Sequence, residues 1–130
     1  MLPVRHRLRS GAEYGAVTRG PGAARAGSRL LVVHANQTDS RAVRPPRVGF
    51  VVSKAVGGAV IRNRVKRRLR AQASRRLPSL PAGVDLVVRA QPSAADASSA
   101  VLGTELDRLV DVVLGRVAPH PRHPLGDGAR

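Results

Sequence analysis

Nine cationic side chains stand in the 23 residues from Lys54 to Arg76: Lys54, Arg62, Arg64, Lys66, Arg67, Arg68, Arg70, Arg75 and Arg76. No acid interrupts them. A helix ordinarily interleaves acids with bases to gain i,i+4 pairs. A span that omits them repels itself unless an outside anion supplies the counter-charge. Phosphate is the obvious candidate, because guanidinium forks onto its oxygens with two parallel hydrogen bonds. The alternative is a solvated basic face in an arginine-rich proteome. All but two of the 23 Lys+Arg residues are arginine, and genomic base composition gives such a skew as readily as phosphate binding does.

Other chemistry is poorly provided for. With no cysteine there is no thiolate zinc site, disulfide framework or cysteine nucleophile, which fits a cytoplasmic chain. The eight acids, Glu13, Asp39, Asp85, Asp96, Glu105, Asp107, Asp111 and Asp127, form no credible two-metal cluster, so no catalytic residue and no protein-bound metal is expected. Asp107 and Asp111 are i,i+4 and read as a solvated helix face. His120 and His123 lie in a proline-rich tail, and two histidines without further ligands bind metal weakly. His6 and His34 have no partnered nucleophile.

Elements that position the basic run follow from periodicity. Advancing 100° per residue, Ile61, Val65 and Leu69 fall in one stripe about 80° wide with Ala73 beside it. Asn63, Lys66, Arg67 and Arg70 lie opposite. Arg64 and Arg68 lie toward the core side, so one of them is expected to pack its stem or bond backbone carbonyls. This predicts an amphipathic helix over 59–76, stopped by Pro78 and Pro81. Upstream, Ser10 and Glu13 have capping-box spacing, predicting a helix to about Arg19 that ends at Gly20-Pro21-Gly22. Residues 23–28 read as a turn or short strand. Strands are predicted at 29–35, 47–53 and 84–90. Ser93 and Asp96 repeat the Ser-x-x-acid cap, so the last helix is expected over 94–116, with Leu102, Leu106, Leu109, Val113 and Val117 as its core stripe.

The whole is an α+β chain, helices on a small sheet, forming one domain over 1–117. Residues 1–9 make a basic arm carrying Arg5, Arg7 and Arg9 and no apolar stretch of a signal peptide. Residues 118–130 hold three of the ten prolines and no periodicity, and are expected to be disordered. No apolar run reaches the ~20 residues of a membrane span. The net charge of +15 points to nucleic acid rather than an anionic membrane, and to partial unfolding at low salt when no anion is present.

The run Lys54-x-x-Gly57-x-Ala59-Val60-x-Arg62-Asn63-Arg64-x-Lys66-Arg67-x-Leu69-Arg70 resembles the signature of the bacterial ribonuclease P protein family. The strand before it, Arg47-Val48-Gly49-Phe50-Val51-Val52-Ser53, and the opening Arg7-Leu8-Arg9 to Glu13-Tyr14 are similar to that family too. The resemblance spans residues 5 to about 116. It implies an α-β-β-β-α-β-α two-layer sandwich, with a short extra strand near 23–25 and an unusual left-handed β-α-β crossover. It further implies an accessory RNA-binding subunit, monomeric and one copy per RNA. Its partners are the ribonuclease P RNA and precursor tRNA, whose 5′ leader is removed. Chemistry would belong to the RNA, with Mg2+ required by the RNA and no cofactor bound by the protein alone. Matching motif positions makes Lys54, Arg62, Asn63, Arg64, Lys66, Arg67 and Arg70 RNA-binding, together with the arm's Arg5, Arg7 and Arg9. It puts Tyr14, Thr18, Val32 and His34 in a leader cleft. Tyr14 also reads as core. Thr18 and His34 stand where family members often carry aromatics, so the cleft here is expected to lean on charge more than on stacking, which is worth about 1–3 kcal/mol per base. Charge alone would equally suit a ribosomal or assembly-type RNA-binding protein, or a nucleoid-type DNA binder.

Overall fold

A computed structural model of the chain describes residues 4–37 and 43–117. Three helices pack on one four-stranded sheet. The helices are α1 (Gly11–Arg19), α2 (Ala59–Arg76) and α3 (Ser99–Arg116). The strands are β1 (Ala24–Gly27), β2 (Leu31–Gln37), β3 (Arg47–Val51) and β4 (Val84–Ala90), in spatial order β1-β2-β4-β3. β1 and β4 each pair antiparallel with β2, while β3 runs parallel to β4. A parallel pair needs a crossover, and α2 is that crossover. The element order is the expected α-β-β-β-α-β-α, with residues 24–27 supplying the short extra strand. Among the described residues no helix is long and apolar enough to cross a membrane. The proline-rich tail, 118–130, lies outside the described residues.

Alternation along the strands sorts the side chains onto two faces. One face presents Leu31, Val33, Ala35, Leu86 and Val88 to α2 and α3, building the main core with Leu69, Leu102, Leu106 and Leu109. The other face is covered only in part, by α1. There Leu8 and Val17 close over Val87, with Tyr14 and Val51 at the margin. Leu8, in the middle of the basic arm, is buried. Its N–H donates to Val48 O at 3.3 Å, and Arg7 bridges Val48 along the free edge of β3. The described part of the arm therefore docks on the sheet and carries its arginines at fixed positions.

Boundaries moved where local hydrogen bonding competed with pattern. Strand β2 starts at Leu31, two residues later than expected, because Ser28 builds a tight turn. Its Oγ accepts from the N–H groups of Leu30 and Leu31 at 3.1 and 3.2 Å. The third strand stops at Val51. The last helix begins at Ser99, with Ser98 as its cap accepting from Val101 N–H at 3.1 Å. Ser93 and Asp96 fall instead in a 3-10 turn, Pro92–Asp96, that Pro92 initiates and extended Ala97 ends. Of the α3 stripe, Leu102, Leu106, Leu109 and Val113 are buried, while Val117 at the cap is half-buried.

The partly open face depends on how α1 is fastened. Ser10 and Glu13 form the expected capping box. Glu13 does more than cap. Arg47 on β3 donates Nη1 to Glu13 Oε2 at 2.8 Å, and Nε and Nη2 to the two Asp85 oxygens at 3.0 and 2.8 Å. At the other end of α1, buried Asn36 donates Nδ2 to Ala16 O at 2.9 Å. The backbone N–H of Arg9, then that of Ser10 and the Arg47 guanidinium, hold the Glu13 carboxyl below its ordinary value of 4.5. A lowered folded-state value means this stabilisation is complete above pH 4.5 and is lost as pH falls through the folded-state value. Thermal unfolding followed from neutral to acidic pH is expected to lose stability in that window. Glu13→Gln should start less stable and lose less on acidification. An acid limb unchanged by the substitution would mean that Glu13 does not fasten α1.

Candidate nucleic-acid interface

Helix α2 is seated by its apolar stripe. Val65 and Leu69 are fully buried, Ala73 nearly so, and Ile61 is half-buried. Gly57, at φ 155°, turns the chain into the helix, and a side chain there would meet Ile61. Gly58 caps the helix without a side-chain bond, and the first turn holds no acid. The opposite side presents exposed Asn63, Arg67 and Arg70, which with Val60 line an open hollow of about 400 Å³.

The nine cations divide into two groups. Arg64 Nη2 donates to Ala95 O at 3.2 Å and Arg68 Nη1 to Ala97 O at 2.6 Å. Both flanking arginines therefore bond backbone carbonyls, where one was expected to. Arg75 pairs with Asp107 at 2.8 Å, and Arg76 with Asp107 at 3.5 Å and Asp111 at 2.9 Å. Asp107 and Asp111 are thus not a merely solvated helix face. They neutralise the end of α2 and clamp it to α3. The other five, Lys54, Arg62, Lys66, Arg67 and Arg70, have no hydrogen-bonded or ionic partner among the described residues. All five fall before the last turns of α2, between Lys54 and Arg70.

Beside them lies a pocket of about 390 Å³, walled by Arg7 and Leu8 of the arm, Tyr14, β3 residues 48–50, and Lys66 and Arg70 of α2. Tyr14 lies across Gly49, where any Cβ would overlap its ring, and its hydroxyl accepts from Phe50 N–H at 3.2 Å. Three cations and a phenol thus converge from three distant stretches of chain. Tyr14 is at once packed and available. The pocket joins it to Lys66 and Arg70, which the sequence had assigned to a different surface.

The remaining cleft residues lie elsewhere. Thr18 turns its hydroxyl back onto the carbonyls of Tyr14 and Gly15, at 3.2 and 3.4 Å. Val32 is 4% exposed and offers a ligand little surface. His34 is half-buried on the sheet face, its pKa held below the ordinary 6.5 by burial and then by Arg25 and Arg89. Those two arginines escaped the sequence reading. The signal was there: Arg25 is the one charged residue of β1, and Arg89 the one cation of β4. Arg5 and Arg9 are exposed along the arm, and Lys54 is exposed in the turn after β3. Among the described residues no three histidines, cysteines or carboxylates are grouped as metal ligands. His120 and His123 lie outside them.

A family model described as Ribonuclease P matches residues 2–113. The chain is 54% identical to the ribonuclease P protein component of a Nocardioides species over 109 residues, 83% of this chain and 91% of that protein. It is 50% identical to that of Streptomyces griseus over 122 residues, 88% of this chain and 97% of that protein. Among solved structures, the RNase P protein of Staphylococcus aureus superimposes with a TM-score of 0.70 at 23% identity, covering 82% of this chain and 94% of that one. The RNase P protein of Thermotoga maritima superimposes with a TM-score of 0.67 at 21% identity, covering 88% and 100%. The structures speak for the fold alone. Identity of a half, sustained over nearly the full length of the bacterial relatives, speaks for descent, and the chain belongs to the ribonuclease P protein component family.

Proposed function

We propose that this chain is the RNA-binding subunit of a ribonuclease P holoenzyme, aiding a catalytic RNA in removing the 5′ leader of precursor tRNA in the cytoplasm. The observation that carries the proposal is the division of the α2 cations. Five carry no protein partner among the described residues, and two of them, Lys66 and Arg70, wall the pocket that also holds Tyr14. Backbone phosphates of the ribonuclease P RNA supply their counter-charges along Arg62, Asn63, Lys66, Arg67 and Arg70, with Lys54 and the arm's Arg5, Arg7 and Arg9 extending the surface. Arg64 is held to the protein and positions its neighbours. The leader passes over the α1 side of the sheet, where Tyr14 gives one ring for stacking and charge gives the rest.

Of the six described acids, all but Asp96 are taken up by arginines. Glu13 and Asp85 bond Arg47, Asp107 and Asp111 bond Arg75 and Arg76, and Glu105 bonds Arg108. Mg2+ held by the RNA would supply the activation of water and the stabilisation of the leaving oxygen. The protein's share is to lower phosphate repulsion, so that the RNA folds and holds substrate at lower Mg2+, one protein copy per RNA.

Reconstitution tests this. Added to a bacterial ribonuclease P RNA and precursor tRNA at low Mg2+, the protein is expected to raise leader cleavage above that of RNA alone. RNA binding with no gain in cleavage would overturn the proposal in favour of a structural RNA-binding role.

A further inference from the structure

Two arginines and a histidine form a row across the sheet on the face that α1 leaves partly open. Arg25 of β1 stands directly opposite His34 of β2. Arg89 of β4 stands opposite Val32, one step along from the His34–Val87 pair, and so lies diagonal to His34. Residues two apart share a face, so all three project to the side where Val87 packs under α1. Arg25 and Arg89 thus flank one imidazole from the two neighbouring strands. Both arginines are exposed, and neither guanidinium has a hydrogen-bonded or ionic partner among the described residues.

The charged and titratable groups on that face are few. From β4 come Asp85 and Arg89, from β3 Arg47, from α1 Glu13, Tyr14 and Arg19, and from the arm, whose Leu8 closes over Val87, His6, Arg7 and Arg9. Arg47 gathers Glu13 and Asp85 to itself at the far end of the face, away from Arg89. Helix α3 packs on the opposite face and reaches this row only at its edge, where Arg116 Nη1 donates to the backbone carbonyl of Arg25 at 2.9 Å. His34 therefore sits between two unneutralised cations with no acid beside it. Its protonated form is disfavoured by burial first and by Arg25 and Arg89 next.

We infer that Arg25, His34 and Arg89 form a phosphodiester-binding site on the sheet face, which holds the leader strand and takes up one proton at His34 as the strand arrives. The inference rests on the leader-binding reading above and adds both the residues and a proton to it. Arg25 and Arg89 are two strands apart and two residues offset, about 12 Å between their Cα atoms, a gap two long side chains close on one phosphate. A phosphate there reverses the sign of the field at His34, and a nearby anion favours the imidazolium. The proton comes from solvent, and no bond in the RNA changes. Because the bound state holds one proton more, affinity must rise as pH falls from above the bound-state pKa toward that of the free protein.

The test uses the reconstituted holoenzyme and compares its affinity for a precursor tRNA with that for the same tRNA lacking a leader. The leader-dependent gain is expected to fall about tenfold as pH rises from about 5.5 to about 8. His34→Gln should flatten that dependence. Arg25→Ala and Arg89→Ala should each reduce the gain and make its salt dependence shallower by about 0.7 in log–log slope. Affinity for the leaderless tRNA should stay as it was, which also reports that the variants fold. A leader gain that ignores pH, or whose pH dependence survives in His34→Gln, overturns the site and leaves the holoenzyme reading intact. No leader gain in the wild-type holoenzyme overturns both.

Discussion

With Arg67 and Arg70 both replaced by alanine, the protein keeps its fold and binds ribonuclease P RNA with a log–log salt slope shallower by about 1.4–1.8. Each phosphate contact contributes about 0.7–0.9 to that slope, depending on whether the RNA is single- or double-stranded, and both side chains are exposed and without protein partners. Between about 50 and 200 mM salt, wild type should therefore lose about tenfold more affinity than the variant. Alanine is the best helix former, so circular dichroism should not change. The measurement is a salt titration of RNA affinity for both proteins. Equal slopes would mean that the outward face of α2 meets no phosphate. The control is Arg75→Ala, whose guanidinium is already paired with Asp107 and should leave the slope nearly unchanged.

Leu69→Ala acts on the other side of the same helix and should show the opposite phenotype. Leu69 is fully buried in the main core, between two residues of the RNA-facing surface in sequence. Removing its side chain loses transfer energy and leaves a cavity, at a cost of about 2–5 kcal/mol. A domain of this size has about 5–15 kcal/mol in all. Denaturant unfolding should show the loss as a lower midpoint with an unchanged m-value. Where the variant remains folded, its salt slope for RNA should match wild type. A stable Leu69→Ala protein with weakened RNA binding would reverse the assignment of the two faces.

The helix faces were legible because α2 carries a clean 3.6-residue stripe with nothing to compete. The capping box at Ser10 and Glu13 was legible for the same reason. The start of α3 was not. Ser-x-x-acid spacing occurs at Ser93 and Asp96, but Pro92 and extended Ala97 turn that stretch into a 3-10 turn, and Ser98 caps the helix. The division of the basic run was also hidden, since the acids that neutralise Arg75 and Arg76 lie 31–35 residues further along the chain. The Tyr14 pocket is assembled from the arm, β3 and α2, and no local pattern announces such a meeting. Arg25 and Arg89 showed only as charges out of place in apolar strands, a weak signal until pairing put both beside His34.

Helix α2 is therefore held unevenly. Its last turn is clamped by two aspartates. Its first has no side-chain cap and no acid, and the cations beyond it oppose the positive end of the helix dipole. The backbone amides of its first half should open to solvent more often than those of its second half, a gradient of local unfolding along one continuous helix. A polyanion laid on the first half removes the repulsion that drives the opening. In this protein, binding and the completion of folding are then two views of one event, and the concentration of anions sets how much of the helix is finished before the RNA arrives.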